Sequence, residues 1–367
     1  MKKILAIILI FSALLGLSSC AKYKPVKSTK EESKIVMKLY FGDEEYEVKY
    51  ELYRALFLNY KSEVDGGNPE VWSGPEKQLY VNRINSLIIR DVSNIFAAFY
   101  ICDKGIGYNV YSGKADKLVD SYIQESIEGS ANSLGFTSYD EYLSYLKSIN
   151  HNYSTQDLLY RYYIALDKIN EYYAGGTADS YTGEGEVAEA HLDTSVDKVR
   201  KFYYSADFKR VLYAYFDKRV EQEKLNSFYS QIKSAAEAGN TEKIKELIST
   251  SSATAPTDAM HGLFVPKYSY NNDMLEKLGT DIFNLSAGQL SSVITLSGGR
   301  EASLNGLYIF YNTEKSEEDF ERYYEQVRQA YINNFLGEFL GAHAGTMAKS
   351  AKYTSEYSGI NHANISM

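Results

Sequence analysis

Hydrophobic and polar positions along the chain alternate in two ways, and each predicts a different element. Residues 35–42 (IVMKLYFG) read as a short strand. From Glu45 to about Glu63 the spacing turns helical, with Tyr46, Tyr50, Tyr53, Phe57 and Tyr60 on one stripe. Asp65-Gly66-Gly67 breaks it. Val81, Ile84, Leu87, Ile88, Val92, Ile95, Phe96 and Phe99 recur at i, i+3 and i+4, which predicts a long helix from about Pro75 to Cys102. Ser138 with Glu141 fits a capping box, and the Ser154 to Asp157 start is a looser version of it. DTSVDKVRKFYYS, from Asp193, predicts a short helix leading out of this first, nearly all-helical domain.

From Asp207 the pattern changes. VLYAYF (211–216) is a compact apolar run with the length of a buried strand. A helix follows with Leu225, Phe228, Ile232 and Ala235 on its inner face, and Gly239-Asn240 stops it. Thr241 to Ile248 predicts a second helix, 249–262 a loop, and Met274 to Phe283 a third helix. Leu290 to Leu296 and Gly306 to Asn312 read as strands joined by a turn over SGGREASLN. This is an α+β module. Ser316 then opens a final helix with Phe320, Tyr324, Val327, Tyr331, Phe335 and Phe339 on one stripe. The α+β module is already complete, so this helix is expected to return to the first domain. The tail after it is expected to hold a short terminal strand or to stay mobile.

The N-terminus carries an address. Lys2 and Lys3 precede a short apolar stretch, Leu5 to Leu17, too brief for a span of about 20 residues. Leu17-Ser18-Ser19-Cys20 resembles a bacterial lipobox, so Cys20 is the expected lipidation site and residues 1–19 the signal peptide. Residues 20–34 read as a polar tether. The expected location is the extracytoplasmic face of a bacterial membrane, held by a lipid anchor.

Composition narrows the function. The chain has 367 residues, which favours two domains over one. A net charge of -9 argues against a global footprint for nucleic acid. With Cys20 acylated, Cys102 is the remaining thiol, and its apolar surroundings (IFAAFYIC) make it a small buried hydrophobe. Tyrosine is in surplus, 35 residues against one Trp, and such side chains suit either a core or an adaptable contact surface. No Gly-x-Ser-x-Gly elbow, Walker A loop, His-Glu-x-x-His or Cys-x-x-Cys occurs. The acidic stretch with Asp179, Glu184, Glu186, Glu189, His191 and Asp193 lacks the spacing of an EF-hand and reads as a solvated linker. No metal or cofactor is expected.

Within 274–295, Met274, Leu278, Phe283, Leu285, Gly288, Gln289 and Ser291 fill a pattern that resembles the parvulin domain of SurA and PrsA foldases. LNGLYIFYNTE (304–314), RVLYAYF (210–216) and GLF (262–264) resemble that family's last strand, first strand and glycine-rich segment. The flanking helices, with ELYRALFLNYK near their start, resemble the discontinuous chaperone domain of the same foldases. The resemblance implies a helical chaperone-like domain over 35–205, a parvulin-like domain over 206–315, and a C-terminal helix and tail, 316–367, packing on the first. It implies unfolded, newly exported polypeptides as partners.

The departures bear on activity. The facing histidines of the parvulin pocket fall on Tyr213 and Tyr308, the loop Cys or Asp on Ser251 or Ser252, and one pocket Phe on Leu278. His261 falls at the pocket rim, and His151, His191, His343 and His362 fall elsewhere. Met274, Leu278 and Phe283 would supply part of an apolar cup, although Phe283 reads equally as core. Tyr213 and Tyr308 read either as hydrogen-bonding replacements or as ordinary strand-core residues. The expectation is a foldase or chaperone with weak or lost prolyl isomerase activity. An active isomerase and a solute- or glycan-binding lipoprotein are the alternatives.

Overall fold

The computed structural model describes residues 27–66, 68–128, 138–175, 190–268, 273–297 and 305–365. The signal peptide, Cys20, most of the acidic linker and most of the SGGREASLN turn lie outside the described residues. The chain divides into two compact units, 1–191 with 340–367, and 192–339.

In the first unit, β1 (Ile35–Phe41) and β2 (Glu44–Lys49) form an antiparallel hairpin with Phe41 opposite Glu44. The two-residue loop Gly42-Asp43 closes it, with Gly42 at φ 57. The helix expected from Glu45 therefore starts later, as α1 (Tyr50–Asp65). Tyr46 to Tyr50 has helical spacing, but Tyr46 and Val48 alternate with outward Glu45 and Glu47, and this strand period prevails. Residues 28–34, expected as tether, are pinned: Tyr50 N–H donates to Lys34 O and Glu51 N–H to Glu32 O. Arg54 pairs with Glu32 at 2.9 Å.

α2 (Lys77–Tyr100) is the long helix, and its apolar stripe is buried as expected, with Leu87 half-buried at its margin. A π-helical turn, Ile101–Gly105, continues it. Next come α3 (Gly113–Glu128), which the sequence pattern does not single out, α4 (Tyr139–Ser148) and α5 (Tyr153–Ala174). Ser138 caps α4 by accepting from Glu141 N–H at 3.2 Å. The cap of α5 is Asn152, not Ser154. In the C-terminal tail, β7 (Lys352–Tyr353) pairs with β1, giving a three-stranded sheet in the order β2-β1-β7. This domain is thus not purely helical. Cys102 is buried and its Sγ–H donates to Ala165 O.

The second unit opens with α6 (Val196–Tyr203). It then runs β3 (Phe208–Phe216), α7 (Gln222–Glu237), α8 (Thr241–Ser251), α9 (Pro256–His261), β4 (Leu263–Pro266), α10 (Asp273–Phe283), β5 (Ile294–Leu296) and β6 (Gly306–Asn312). The four strands form an antiparallel sheet in the order β4-β3-β6-β5. Two elements lie outside the sequence expectation: the short α9 inside the expected loop, and the edge strand β4. α11 (Glu317–Arg322) is capped by Ser316, as the sequence indicates, and α12 (Tyr324–Ser350) follows.

The aromatic stripe of the last helices differs from its expectation. Phe320, Tyr324, Val327 and Tyr331 pack with Val199, Phe202, Tyr203 and Phe208, all within the second unit. α6 buries three apolar side chains and offers that stripe an apolar face close at hand. From Leu340 on, α12 belongs to the first unit.

Candidate functional site

Strand alternation sorts the aromatic residues of the sheet. On β3, Leu212, Ala214 and Phe216 face Leu225, Phe228 and Ile232 of α7 and Ile244 of α8. Val211, Tyr213 and Tyr215 face the other way, into a cluster with Tyr308 and Phe310 of β6 and Leu278, Ile282 and Leu285 from α10 and just beyond it. The candidate site is this second face.

Tyr213 and Tyr308 do meet, but not as directly opposed residues. The register sets Tyr213 against Phe310 and Tyr215 against Tyr308. Tyr213 and Tyr308 are diagonal neighbours with ring centroids 6.4 Å apart. Tyr308 also stacks on Phe310 at 5.8 Å and meets Tyr215 at 5.2 Å. The result is a ladder of four rings. Tyr308 is only 2% exposed, whereas Tyr213 and Tyr215 are half-buried.

The phenols are weak acids here. Burial pushes Tyr308 up to about 12. Burial, then the carboxylate of Asp258, drives Tyr213 further above its ordinary value. At neutral pH both stay protonated and cannot act as general bases. Tyr213 Oη–H donates to Asp258 Oδ2 over a long 3.4 Å, and Tyr215 Oη–H donates to Asn305 O at 3.1 Å.

The remaining candidates distribute unevenly. Leu278 is buried in the same cluster, and Phe283 packs on it while half-buried. Lys209 Nζ sits 5.7 Å from the Phe283 ring centroid and donates to the carbonyls of Phe283 and Leu285. This satisfies carbonyls at the end of α10. Met274 lies in α10, but its side chain is outside the described residues. Ser252 Oγ–H donates to Ile248 O at 2.6 Å, and Ser251 pairs with Thr250 at 3.5 Å. Those are local helix-end bonds, and neither serine is brought to the tyrosines by a described contact. His261 is exposed, with its ring against Tyr323 at 5.6 Å and its carbonyl accepting from Arg210 Nε–H at 3.0 Å.

Two residues that the sequence pattern passes over join the site. Thr254 is buried; its Oγ1–H donates to Tyr213 O at 3.1 Å and its Oγ1 accepts from Tyr215 N–H at 3.0 Å. Ala253 N–H donates to Tyr215 O at 2.9 Å. β4 pairs only with Phe208–Val211, so residues 253–254 satisfy the β3 edge where β4 runs out. Asp258 is the other. No local sequence signal marks Thr254, because its role depends on where β4 ends. The site offers an aromatic platform with phenol–carboxylate hydrogen bonding at one edge. Among the described residues, no cluster of three or more His, Cys, Asp or Glu residues is arranged to hold a metal.

This geometry defines an α+β protein with an antiparallel sheet and an aromatic face. Comparison with protein-family models and with curated proteins gives no match. Among solved structures, the chain is similar to the foldase protein PrsA of Streptococcus pneumoniae, at 15% identity, over 75% of this chain and 87% of that one, with a TM-score of 0.30. It is similar to PrsA of Bacillus subtilis at 13% identity, over 75% and 87%, with a TM-score of 0.26. It is also similar to the foldase protein PrsA of Lactococcus lactis at 13% identity, over 91% and 100%, with a TM-score of 0.25.

Proposed function

We propose that this protein is a membrane-anchored extracytoplasmic foldase whose work is to hold unfolded exported polypeptides, with a parvulin-like domain that isomerises prolyl bonds weakly or not at all. The observation that carries the reading is the state of the tyrosine pair. Tyr308 is closed into the sheet core, and Tyr213 spends its hydroxyl on Asp258. Prolyl isomerisation faces a barrier of about 18–20 kcal/mol, and an enzyme lowers it only by favouring the twisted amide over the planar one. The stacked ring ladder supplies apolar contact, while the hydroxyls of Tyr213 and Tyr215 are taken up within the protein by Asp258 and by Asn305 O. Holding a client requires less: half-buried rings such as Tyr213 and Tyr215 suit apolar segments without fixed geometry. The lipobox-like Cys20 supports anchoring at the outer face, where exported chains arrive unfolded.

Tyr213 beside Asp258 favours a second reading, an active isomerase in which that phenol contacts the client. A proline-limited refolding assay separates the two. The protein lacking residues 1–20 is compared with a Tyr213→Ala, Tyr308→Ala double variant. The expected result is suppressed aggregation with no acceleration of the slow phase. Acceleration by the parent protein that the double variant lacks would establish the isomerase instead. Tight binding of one glycan with no effect on client aggregation would overturn both.

A further inference from the structure

In the first unit, the edge of β1 that faces away from β2 is closed by a segment that is itself mostly in water. Ser350 Oγ accepts from Tyr40 N–H at 2.7 Å, and Lys352 and Tyr353 pair with Lys38 and Met37. Thr354 N–H donates to Val36 O at 3.1 Å, and its Oγ1–H donates to Ile35 O at 2.6 Å. The ladder proper is two residues long, and side-chain hydroxyls finish it at both ends.

The chain then runs over a well of rings. Tyr357 stacks on Tyr353 at 4.1 Å and meets Tyr53 edge-on at 5.8 Å. His362 lies 5.4 Å from Phe57, which in turn meets Trp72 at 5.6 Å. Asn85 joins the two sides. Its Nδ2–H donates to Tyr357 Oη at 2.6 Å, and its Oδ1 accepts from Tyr53 Oη–H at 2.7 Å. The Tyr53 hydroxyl proton is thereby used, so the 3.0 Å bond between Tyr53 Oη and His362 is donated by Nε2–H.

Burial is lopsided across this contact. Tyr53 and Phe57 are fully buried and Trp72 is 4% exposed, whereas between Ser350 and Ile365 only His362 and Ile365 are buried. The ion pair of Glu356 with Lys34, at 3.5 Å, is exposed on both sides and adds little. The segment is thus a strap held by edge hydrogen bonds and a few rings. Any extended backbone can make the first, and many apolar side chains can fill the second. A strand edge beside an apolar well is the form in which sheets take up extended peptides.

We propose that residues 350–365 are a self-inhibitory strap over a docking groove, and that an extended polypeptide segment with aromatic side chains four residues apart displaces them. The spacing is that of Tyr353 and Tyr357, which the groove already accommodates. The strap competes from within the same chain, at high effective concentration. An incoming segment offsets this by offering backbone groups where the strap uses the hydroxyls of Ser350 and Thr354. The groove is argued from the first unit alone, and the class of partner rests on the foldase reading.

The test locks the strap in the full chain, in mild detergent. Opposed residues of an antiparallel ladder have Cα atoms about 4.5–5.5 Å apart, within disulfide reach, so a Lys38→Cys, Lys352→Cys double variant can tie the strap to β1. The probes are reduced, carboxymethylated α-lactalbumin and a labelled peptide of residues 350–365, followed by fluorescence anisotropy. The reduced variant is expected to bind both, oxidation to weaken both at least tenfold, and dithiothreitol to restore them, while the same oxidant leaves the parent protein unchanged. The peptide carrying Tyr353→Ala and Tyr357→Ala should bind at least fivefold more weakly. Should the disulfide not form, Tyr357→Ala in the full chain decides: a loosened strap should raise α-lactalbumin affinity several-fold, and unchanged or lower affinity overturns the proposal. Equal affinity in the oxidised and reduced forms also overturns it, as does binding of the peptide without α-lactalbumin, which would make the groove a seat for this chain's own tail or that of a second copy. Aggregation suppressed equally in both redox forms would remove this site and leave the foldase reading. Redox-dependent probe binding without any suppression would do the reverse.

Discussion

Arg210 is expected to fix the end of the sheet on which the candidate site is built. Its side chain is 3% exposed. Nη1 pairs with Asp319 Oδ2 at 2.8 Å, Nε–H donates to His261 O at 3.0 Å, and the guanidinium lies 4.3 Å from the Tyr323 ring centroid. One side chain thus ties β3 to the end of α9 and to α11. Arg210→Met keeps an apolar stem of similar length and removes the charge. Losing one partner of a buried pair costs about 3–5 kcal/mol. Asp319 is a quarter exposed and regains some water, which places the expected loss near the lower end, about 3 kcal/mol. With a urea slope of about 2 kcal/mol per molar, the midpoint of the second unit falls by roughly 1.5 M. The assay is urea unfolding followed by hydrogen exchange at the β3 and β6 amides, with Asp319→Asn and the double variant completing a cycle. Contacting partners should show a coupling of about 1 kcal/mol or more. A loss below about 1 kcal/mol, or strict additivity of the two substitutions, would refute the reasoning.

Gly262 sits at φ 74 and ψ -168, a region open essentially to glycine, and an added Cβ would lie 2.6 Å from Val211 O. Gly262→Ala should therefore cost about 2–5 kcal/mol in urea unfolding, from backbone strain and steric overlap together; an unchanged midpoint would contradict this. His362 is buried beside Tyr53, with Nε2 3.0 Å from Tyr53 Oη, and burial followed by the charge of Lys77 pulls its pKa down to about 4. The native state holds it neutral, so its stabilising effect is complete above pH 6.5 and is lost as the pH falls towards 4, by about 3 kcal/mol in total. His362→Gln should flatten that part of the stability–pH curve, and an equally steep fall in the variant would count against the assignment. Burial pushes the Cys102 thiol up to about 12, so iodoacetamide at pH 8 should leave it unmodified in the native protein and alkylate it in urea, as read by peptide mass.

How much of this was legible in the sequence depended on whether a signal was local. The cap at Ser316 and the inner face of α7 needed only neighbouring residues, and the structure has both. The β1–β2 hairpin was local too, but Tyr46 and Tyr50 satisfy a helical spacing as well as a strand alternation. Only the turn at Gly42-Asp43 separates the two, and apolar spacing takes no account of its glycine. The stripe on α11 and α12 exposed a different limit. Its period demands an apolar partner without saying which one, and the short α6 provided it within the second unit. The candidate site shows the same division. Alternation alone puts Tyr213, Tyr215 and Tyr308 on one face, because odd positions of β3 and even positions of β6 share it. Which rings oppose one another is a matter of register, and pairing residue 215 with residue 308 makes the expected pair diagonal. Thr254 was out of reach for a related reason. Its role exists only because β4 ends before Tyr213 and leaves a backbone edge to satisfy. A polar residue that completes a sheet edge carries no pattern of its own, so Ser251 and Ser252, nearer to the expected loop position, draw the assignment instead.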